Sequence, residues 1–196
     1  AAAAAVAPPP PPTPTKPAPP PKPTHPPGTL RLITGAAAIP HPAKAASGGE
    51  DAHFTSPAHL GCVGVADGVG GWAAEGVDPA IYARRLMAGA ADALEQQASA
   101  GGRSPLPCVR AALVAGHAAT AGIPGSSTAV LGAALPGGTL QVAVLGDSGF
   151  YLLRNGRLAL ASDPQQHSFN MPFQLAAPDT PGGGANSPAD ADVYDV

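Results

Sequence analysis

The sequence has few cysteines and few aromatic residues, and it lacks long apolar runs. Its 196 residues include two cysteines, four phenylalanines, three tyrosines and one tryptophan. Cys62 and Cys108 stand alone in apolar surroundings, which excludes a disulfide framework and zinc-type spacing, so we predict buried thiols of a reducing compartment. No stretch reaches 18 consecutive apolar residues, and we therefore predict no membrane-spanning helix.

Acidic residues are missing from the N-terminal part of the chain, and lysine is missing from the rest. No Asp or Glu precedes Glu50, and no Lys follows Lys44. From residue 50 onward, 13 acidic residues stand against six arginines, which gives a formal charge of about −7 (6 − 13). An acidic domain without basic clusters or interleaved aromatic residues argues against nucleic acid as a partner.

The N-terminal residues have the composition of a linker. The first 27, AAAAAVAPPPPPTPTKPAPPPKPTHPP, hold 13 of the 26 prolines and show no apolar periodicity. Such a composition cannot bury a core, so we predict a disordered Ala/Pro-rich leader or linker over residues 1–28. Because this segment is basic and free of acids, it fits an organelle transit peptide as well as a solvated linker, and both interpretations stay open.

Apolar patterning predicts strands on either side of two helices. The predicted strands cover residues 29–38, 52–56, 60–66, 127–135 and 139–146, and a further strand begins at Val193. One helix is predicted to begin after Asp78, and a second covers about 105–121. Asn155-Gly156 between apolar arms predicts a β-hairpin, whereas the residues from 175 resemble a loop. Strands, then helices, then strands again indicate an α+β fold.

Acidic residues fall where these strands begin or end. Glu50 and Asp51 precede a strand, Asp67 ends the apolar run before VGG, and Asp147 lies in GDSG. Each acid alone fits a solvated loop or a turn. Taken together, carboxylates and backbone carbonyls are the hard oxygen ligands that Mg²⁺ and Mn²⁺ require, so a divalent-metal site is a plausible alternative.

Several motifs in order resemble one enzyme family. The run GGEDAHF, VADGVGGW, GVDP, GSSTA, LGDSGFYLLRNG and QQHSFNMPFQL resembles the type 2C, metal-dependent protein serine/threonine phosphatases. The similarity covers about residues 29–196 and is greatest to the compact branch with mitochondrial and plastid members. IPHPAKAASGGEDAHF in particular resembles plastid phosphatases of plants, including those of the photosystem II core. The resemblance implies a β-sandwich of two antiparallel sheets flanked by helices, and a chloroplast location with the mitochondrion as the alternative.

The resemblance also implies site residues. Asp67 would be the catalytic residue whose carboxylate bridges two Mn²⁺ or Mg²⁺ ions, and Gly68 would bind one ion through its carbonyl oxygen. Glu50 and Asp51 would hydrogen-bond metal-bound waters, and Asp147 would help to hold a third ion. A water that bridges the ions would attack phosphorus in phosphoserine or phosphothreonine. The partners implied are phosphorylated proteins, and the complete protein would be monomeric.

Three departures from the family pattern bear on this interpretation. Val69 stands where many members have a histidine, and Ala46 stands where larger members have a phosphate-binding arginine. Lys44 is the nearest cation and could contact phosphate, although without the two-pronged geometry of arginine. The remaining metal-binding acids of the family would follow Val196. We therefore expect residues 29–196 to be the N-terminal part of such a domain, incomplete at the C-terminus and inactive by itself.

The sequence leaves two alternative functions open. A pseudophosphatase or interaction module would have the same fold without turnover. A serine protease would use Ser148 of GDSG as its nucleophile, but Phe150 follows where a second glycine is normal, and no histidine lies in a recognisable context.

Overall fold

The structure, a computed structural model, describes residues 31–99, 108–177 and 186–196. Within them the chain forms two α-helices, α1 (Pro79–Ser99) and α2 (Val109–Ala119), together with short 3₁₀ helices at Pro42–Ser47, Gly70–Glu75 and Pro188–Asp190. The strands are β1 (Asp51–Ser56), β2 (Cys62–Asp67), β3 (Ser126–Ser127), β4 (Ala129–Ala134), β5 (Leu140–Leu145), β6 (Tyr151–Arg154), β7 (Arg157–Ala161), β8 (Gln166–Ser168), β9 (Met171–Pro172), β10 (Leu175–Ala176) and β11 (Asp192–Asp195). None of the described helices is both long and apolar enough to cross a bilayer.

A five-stranded antiparallel sheet forms the centre of the fold, in the order β1-β2-β4-β5-β11. Every residue of β4 is buried, as are the last four residues of β5. These two central strands are therefore covered on both faces over most of their length, whereas β1 at the edge alternates buried and exposed residues. The remaining described strands form three antiparallel pairs, β3–β10, β6–β7 and β8–β9.

Both helices pack together beside this sheet. Helix α1 buries Tyr82, Leu86, Ala90 and Leu94, the four-residue spacing predicted for its core face. It begins with Pro79, and the Asp78 Oδ1 atom accepts a hydrogen bond from the Ala80 N–H at 3.0 Å. The helices can approach closely because Gly116 has no side chain. A Cβ atom there would lie only 2.6 Å from the Leu86 carbonyl oxygen. Antiparallel sheets with packed helices confirm the predicted α+β class.

Most predicted elements are present, and their described ends differ from the predicted ones by at most two residues. The Asn155-Gly156 hairpin joins β6 to β7 with positive φ at both residues, as its sequence predicts. The strand expected near Val193 is β11, which pairs with β5. The predicted leader over residues 1–28 and the start of the second predicted helix, 105–107, lie outside the described residues.

Three sequence predictions are wrong. The strand over 29–38 is absent where the structure describes it: residues 31–38 belong to no strand, and the Leu32 N–H donates to the Leu60 carbonyl oxygen at 2.8 Å. Cys62 is buried as expected, but Cys108 is exposed because it lies just outside the first turn of α2. Leu175 and Ala176 were expected in a loop, yet they are buried and pair with Ser127 and Ser126.

Candidate metal centre

Two strand ends bring the acidic motifs together. Strands β1 and β2 pair antiparallel with Asp51 directly opposite Asp67. Side chains of opposite residues in such a pair share one face of the sheet, with Cβ atoms about 5 Å apart. The Gly68 N–H donates to the Glu50 carbonyl oxygen at 3.2 Å, so the residue before Asp51 and the residue after Asp67 are also held together. Four of the predicted site residues therefore meet at one corner of the sheet.

Burial and neighbouring negative charges make Asp67 a weaker acid than usual. Burial is the largest of the effects that together raise the pKa of its carboxyl group to about 6, followed by the charge of Asp51 and a side-chain hydrogen bond with Asp51. The charges of Asp147 and Glu50 act in the same direction. Carboxylates gathered in this way repel one another, and a bound cation would offset that repulsion.

Glycine is required at Gly68 because the backbone there has no space for a side chain. A Cβ atom would lie 2.6 Å from the Pro79 carbonyl oxygen and 2.8 Å from the Glu50 carbonyl oxygen. At Gly70 a Cβ would lie 2.9 Å from Glu50 Oε2 and 3.1 Å from Lys44 Nζ. Gly71 has open space around its Cβ position. The first two glycines of DGVGG thus permit close approach of the acidic residues.

Lys44 forms an ion pair with Glu50. Its Nζ atom contacts Glu50 Oε2, and the Glu50 side chain is 14% exposed while that of Lys44 is 42% exposed. The predicted phosphate contact is thus positioned beside the carboxylate cluster, with part of its surface open to solvent. In the structure, the charge of Lys44 is paired with that of Glu50.

The candidate site opens into a cavity of about 300 Å³. Asp51, Asp67, His53 and Ser148 line it together with Val65 and residues 37–39. Asp147 lies in an adjacent cavity of about 240 Å³ with Phe150 and Ser162. The structure therefore brings Glu50, Asp51, Asp67 and Gly68 together, with Asp147 near enough to influence Asp67 but facing a different cavity.

Oxygen donors at this corner suit Mg²⁺ or Mn²⁺. Among the described ranges 31–99, 108–177 and 186–196, no three His, Cys, Asp or Glu side chains converge as a ready-made metal cage. Mg²⁺ is commonly held by one or two carboxylates with several retained waters. The carboxylates of Asp51 and Asp67 and the close backbone approach at Gly68 fit such an ion, with carbonyl oxygens and water as further ligands.

Polar residues to which the sequence analysis assigned no role form hydrogen bonds with the loop that follows Asp67. The Val69 N–H donates to the Ser126 carbonyl oxygen at 3.0 Å, and the Trp72 indole N–H donates to Ser126 Oγ at 2.7 Å. Ser126 Oγ in turn donates to Gln174 Oε1 at 2.7 Å. Ser126 belongs to GSSTA, which the motif run contains, but nothing local in that sequence indicates a contact 54 residues away with Trp72.

Among the residues that the structure describes, the serine-protease arrangement is not formed. Ser148 Oγ lies 2.6 Å from Thr128 Oγ1, a hydroxyl and not an imidazole base. His117, the histidine on α2, has its Nε2 atom 2.9 Å from the Ala176 carbonyl oxygen. Neither contact supplies the Ser–His pair that such a nucleophile needs.

Known proteins similar to this chain are phosphatases by name. No family model matches. The chain is 43% identical over 153 residues (78% of its length) to "Probable protein phosphatase 2C 71" of Oryza sativa subsp. japonica, and covers 31% of it. It is 39% identical over 168 residues (86% of its length) to "Probable protein phosphatase 2C 80" of Arabidopsis thaliana, and covers 38% of it. The chain thus spans about a third of the length of these curated relatives.

A solved structure has the same fold. The X-ray structure of the photosystem II phosphatase PBCP matches with a TM-score of 0.69 and 35% identity, over 81% of this chain and 58% of that one. The strand-end acids, the glycine loop and this likeness in sequence and fold agree with one another. The chain belongs to the protein phosphatase 2C family.

Proposed function

We propose that the whole protein, meaning the gene product that carries this chain, hydrolyses phosphoserine and phosphothreonine in proteins with the help of Mn²⁺ or Mg²⁺. The observation that carries this proposal is the pairing of Asp51 with Asp67 beside Gly68 at the open end of β1 and β2. Family membership supports the reaction class, and the oxygen donors support the type of metal.

Each residue at this corner has a proposed role. Asp67 would hold two ions together with the Gly68 carbonyl oxygen, which would bind one of them. Glu50 and Asp51 would orient waters beside the ions, since both lie against the Asp67–Gly68 turn. Asp147 would help to hold a third ion from the adjacent cavity. When bound, ions of this kind would lower the pKa of water and neutralise phosphate charge, which is the chemistry that hydrolysis of a phosphate ester needs.

Lys44 is proposed to contact the substrate phosphate. Its ammonium group is held beside the acidic corner by Glu50 and remains 42% exposed. A single ammonium acts as a point charge, so it would attract the phosphate without fixing its orientation as an arginine fork does. Glu50 therefore both orients water and places this cation.

Substrates and location are proposed from the relatives. PBCP is by its printed name a photosystem II phosphatase. We propose phosphorylated proteins of the chloroplast as substrates, with a mitochondrial location as the alternative, and a monomeric whole protein. Because the described residues supply few direct ligands, we expect the 196-residue chain alone to bind Mn²⁺ weakly and to lack turnover.

A second candidate is a pseudophosphatase or interaction module. Val69 in place of a histidine, and the lack of three converging ligand side chains among the described residues, favour it. Phosphate release from a phosphoserine peptide by the whole protein decides between the two. We expect release with Mn²⁺, none after EDTA, and recovery when Mn²⁺ is returned. Binding of the peptide without release at any Mn²⁺ concentration would establish the module and refute the enzyme.

A further inference from the structure

Three hydroxyl groups are linked by hydrogen bonds to the backbone of Asp67, two directly and one through Thr128, and the proposed mechanism assigns them no role. Ser127, Thr128 and Ser148, here named the hydroxyl clasp, come from β3, the residue before β4, and the GDSG turn. Ser127 and Thr128 are 0% and 2% exposed. Hydroxyl groups buried to this extent require hydrogen-bond partners, and each partner here belongs to a metal motif or to the clasp.

Two residues of the hydroxyl clasp form hydrogen bonds with the backbone of Asp67. The Thr128 N–H donates to the Asp67 carbonyl oxygen at 3.1 Å, and the Asp67 N–H donates to Thr128 Oγ1 at 3.4 Å. Ser127 Oγ lies 2.8 Å from the Asp67 carbonyl oxygen and equally far from that of Thr128, so it can donate to either. The regular ladder between β2 and β4 ends at Val65 and Val130. Side-chain hydroxyls thus continue the pairing just where β2 delivers its acid.

The third residue extends the clasp to the second acidic motif. Thr128 Oγ1 lies 2.6 Å from Ser148 Oγ, and Ser148 follows Asp147 and lines the cavity of Asp67. A Cβ at Gly146 would lie 2.6 Å from Thr128 Cγ2, so the GDSG turn is packed directly against the same side chain. One threonine therefore contacts both the ADG loop and the GDSG turn.

We infer that Thr128 is a positioning residue for the metal centre: its hydroxyl fixes the backbone of Asp67 and links it through Ser148 to the turn that carries Asp147. This inference rests on the proposed function for its metal, but the hydrogen bonds to Asp67 are present without a metal. Groups that orient metal ligands typically change metal affinity by about 10- to 100-fold when they are removed. Loss of the hydroxyl should therefore loosen Asp67 first and weaken ion binding as a result.

Hydrogen exchange in the metal-free whole protein measures the first effect. Thr128→Val keeps the shape of the side chain and removes the hydroxyl, while Thr128→Ser keeps the hydroxyl. The matched control is Thr120→Val, because Thr120 is also fully buried and its Oγ1 donates to the His117 carbonyl oxygen at 2.7 Å, at the end of α2. We expect the Asp67 amide to exchange roughly fivefold faster in Thr128→Val, and at the original rate in the other two variants.

Mn²⁺ titration of the same proteins measures the second effect. We expect affinity to fall about tenfold or more in Thr128→Val, to be restored in Thr128→Ser and to be unchanged in Thr120→Val. Ser148→Ala should weaken binding in the same direction, since it removes the other end of the link. Equal Asp67 exchange and equal Mn²⁺ affinity in Thr128→Val and the parent would overturn the inference. Absence of Mn²⁺ binding by the parent would refute the metal centre. The exchange result would still decide whether the Thr128 hydroxyl holds the backbone of Asp67 in place.

Discussion

At the scale of single residues, small side chains decide whether the acidic groups can meet. Gly68 lies under the Pro79 carbonyl oxygen, and Gly70 lies against the Glu50–Lys44 pair. The hydroxyl groups of Ser127 and Thr128 form hydrogen bonds with the Asp67 backbone. The site therefore depends on close backbone contact, and its sensitivity to added volume should differ sharply between neighbouring glycines.

Gly68→Ala should destabilise the protein while Gly71→Ala should not. The new methyl at Gly68 would lie 2.6 Å from a backbone carbonyl that cannot move like a flexible side chain, whereas Gly71 has open space. Overpacking of this kind costs about 1–3 kcal/mol, and a substitution in open space changes stability by less than about 0.5 kcal/mol. Thermal unfolding of both variants measures the difference. Equal midpoints would contradict the close contact described at Gly68.

The two cysteines should differ in reactivity. Burial, with the negative charge of Glu95, raises the pKa of the Cys62 thiol to about 11, and its Sγ atom contacts the Ala58 carbonyl oxygen at 3.5 Å. Because the thiolate is the reactive form, Cys62 stays protonated and inert at pH 8, while the exposed Cys108 is accessible. We expect iodoacetamide to modify one cysteine in the native protein and both in denaturant. Mass mapping that finds native modification at Cys62 would contradict this packing.

At the scale of elements, one arginine connects α2 to the C-terminal strand. Arg110 Nη1 donates to the Ala189 carbonyl oxygen at 2.6 Å, and Nη2 donates to that of Ala191 at 2.8 Å. These carbonyls lie in and just after the 3₁₀ helix that leads into β11, which completes the central sheet beside β5. The arginine therefore helps to position an edge strand.

Arg110→Ala should lower the stability of this junction. Hydrogen bonds from a charged group contribute about 1.5–3 kcal/mol each at most, so we expect a net loss of roughly 1–3 kcal/mol. Arg157→Ala is the matched control because Arg157 is exposed on the β6–β7 hairpin. The unfolding midpoint should fall only for Arg110→Ala. A similar fall in both variants would mean that the two carbonyl contacts do not stabilise β11.

The same scale shows what the sequence could predict. Helix α1 was predictable because Tyr82, Leu86, Ala90 and Leu94 recur at the spacing of one helical face. Residues 31–38 have the composition of a strand, but a strand also needs a ladder partner, which composition does not reveal. The roles of Ser126 and Thr128 depend on contacts 54 and 61 residues away in the chain, so they became visible only in the folded arrangement.

At the scale of the whole molecule, composition divides the chain at about residue 28. Apart from alanines and Val6, the Pro-rich leader lacks the apolar side chains that a packed segment requires, and it remains a predicted disordered arm. We expect removal of residues 1–28 to leave the thermal midpoint unchanged within error. A clear fall would show that the leader packs on the domain. Import of the complete precursor into isolated chloroplasts and mitochondria would decide its proposed targeting role.

The central claim is that Asp67 holds the catalytic metal. Calorimetric titration of Mn²⁺ into the whole protein, its Asp67→Asn variant and an Asp92→Asn control tests this claim most directly, since Asp92 is an exposed acid on α1. We expect Asp67→Asn to weaken Mn²⁺ binding by at least about 100-fold and to abolish hydrolysis of a phosphoserine peptide, with the control unchanged in both. Tight Mn²⁺ binding and retained turnover in Asp67→Asn would contradict the account.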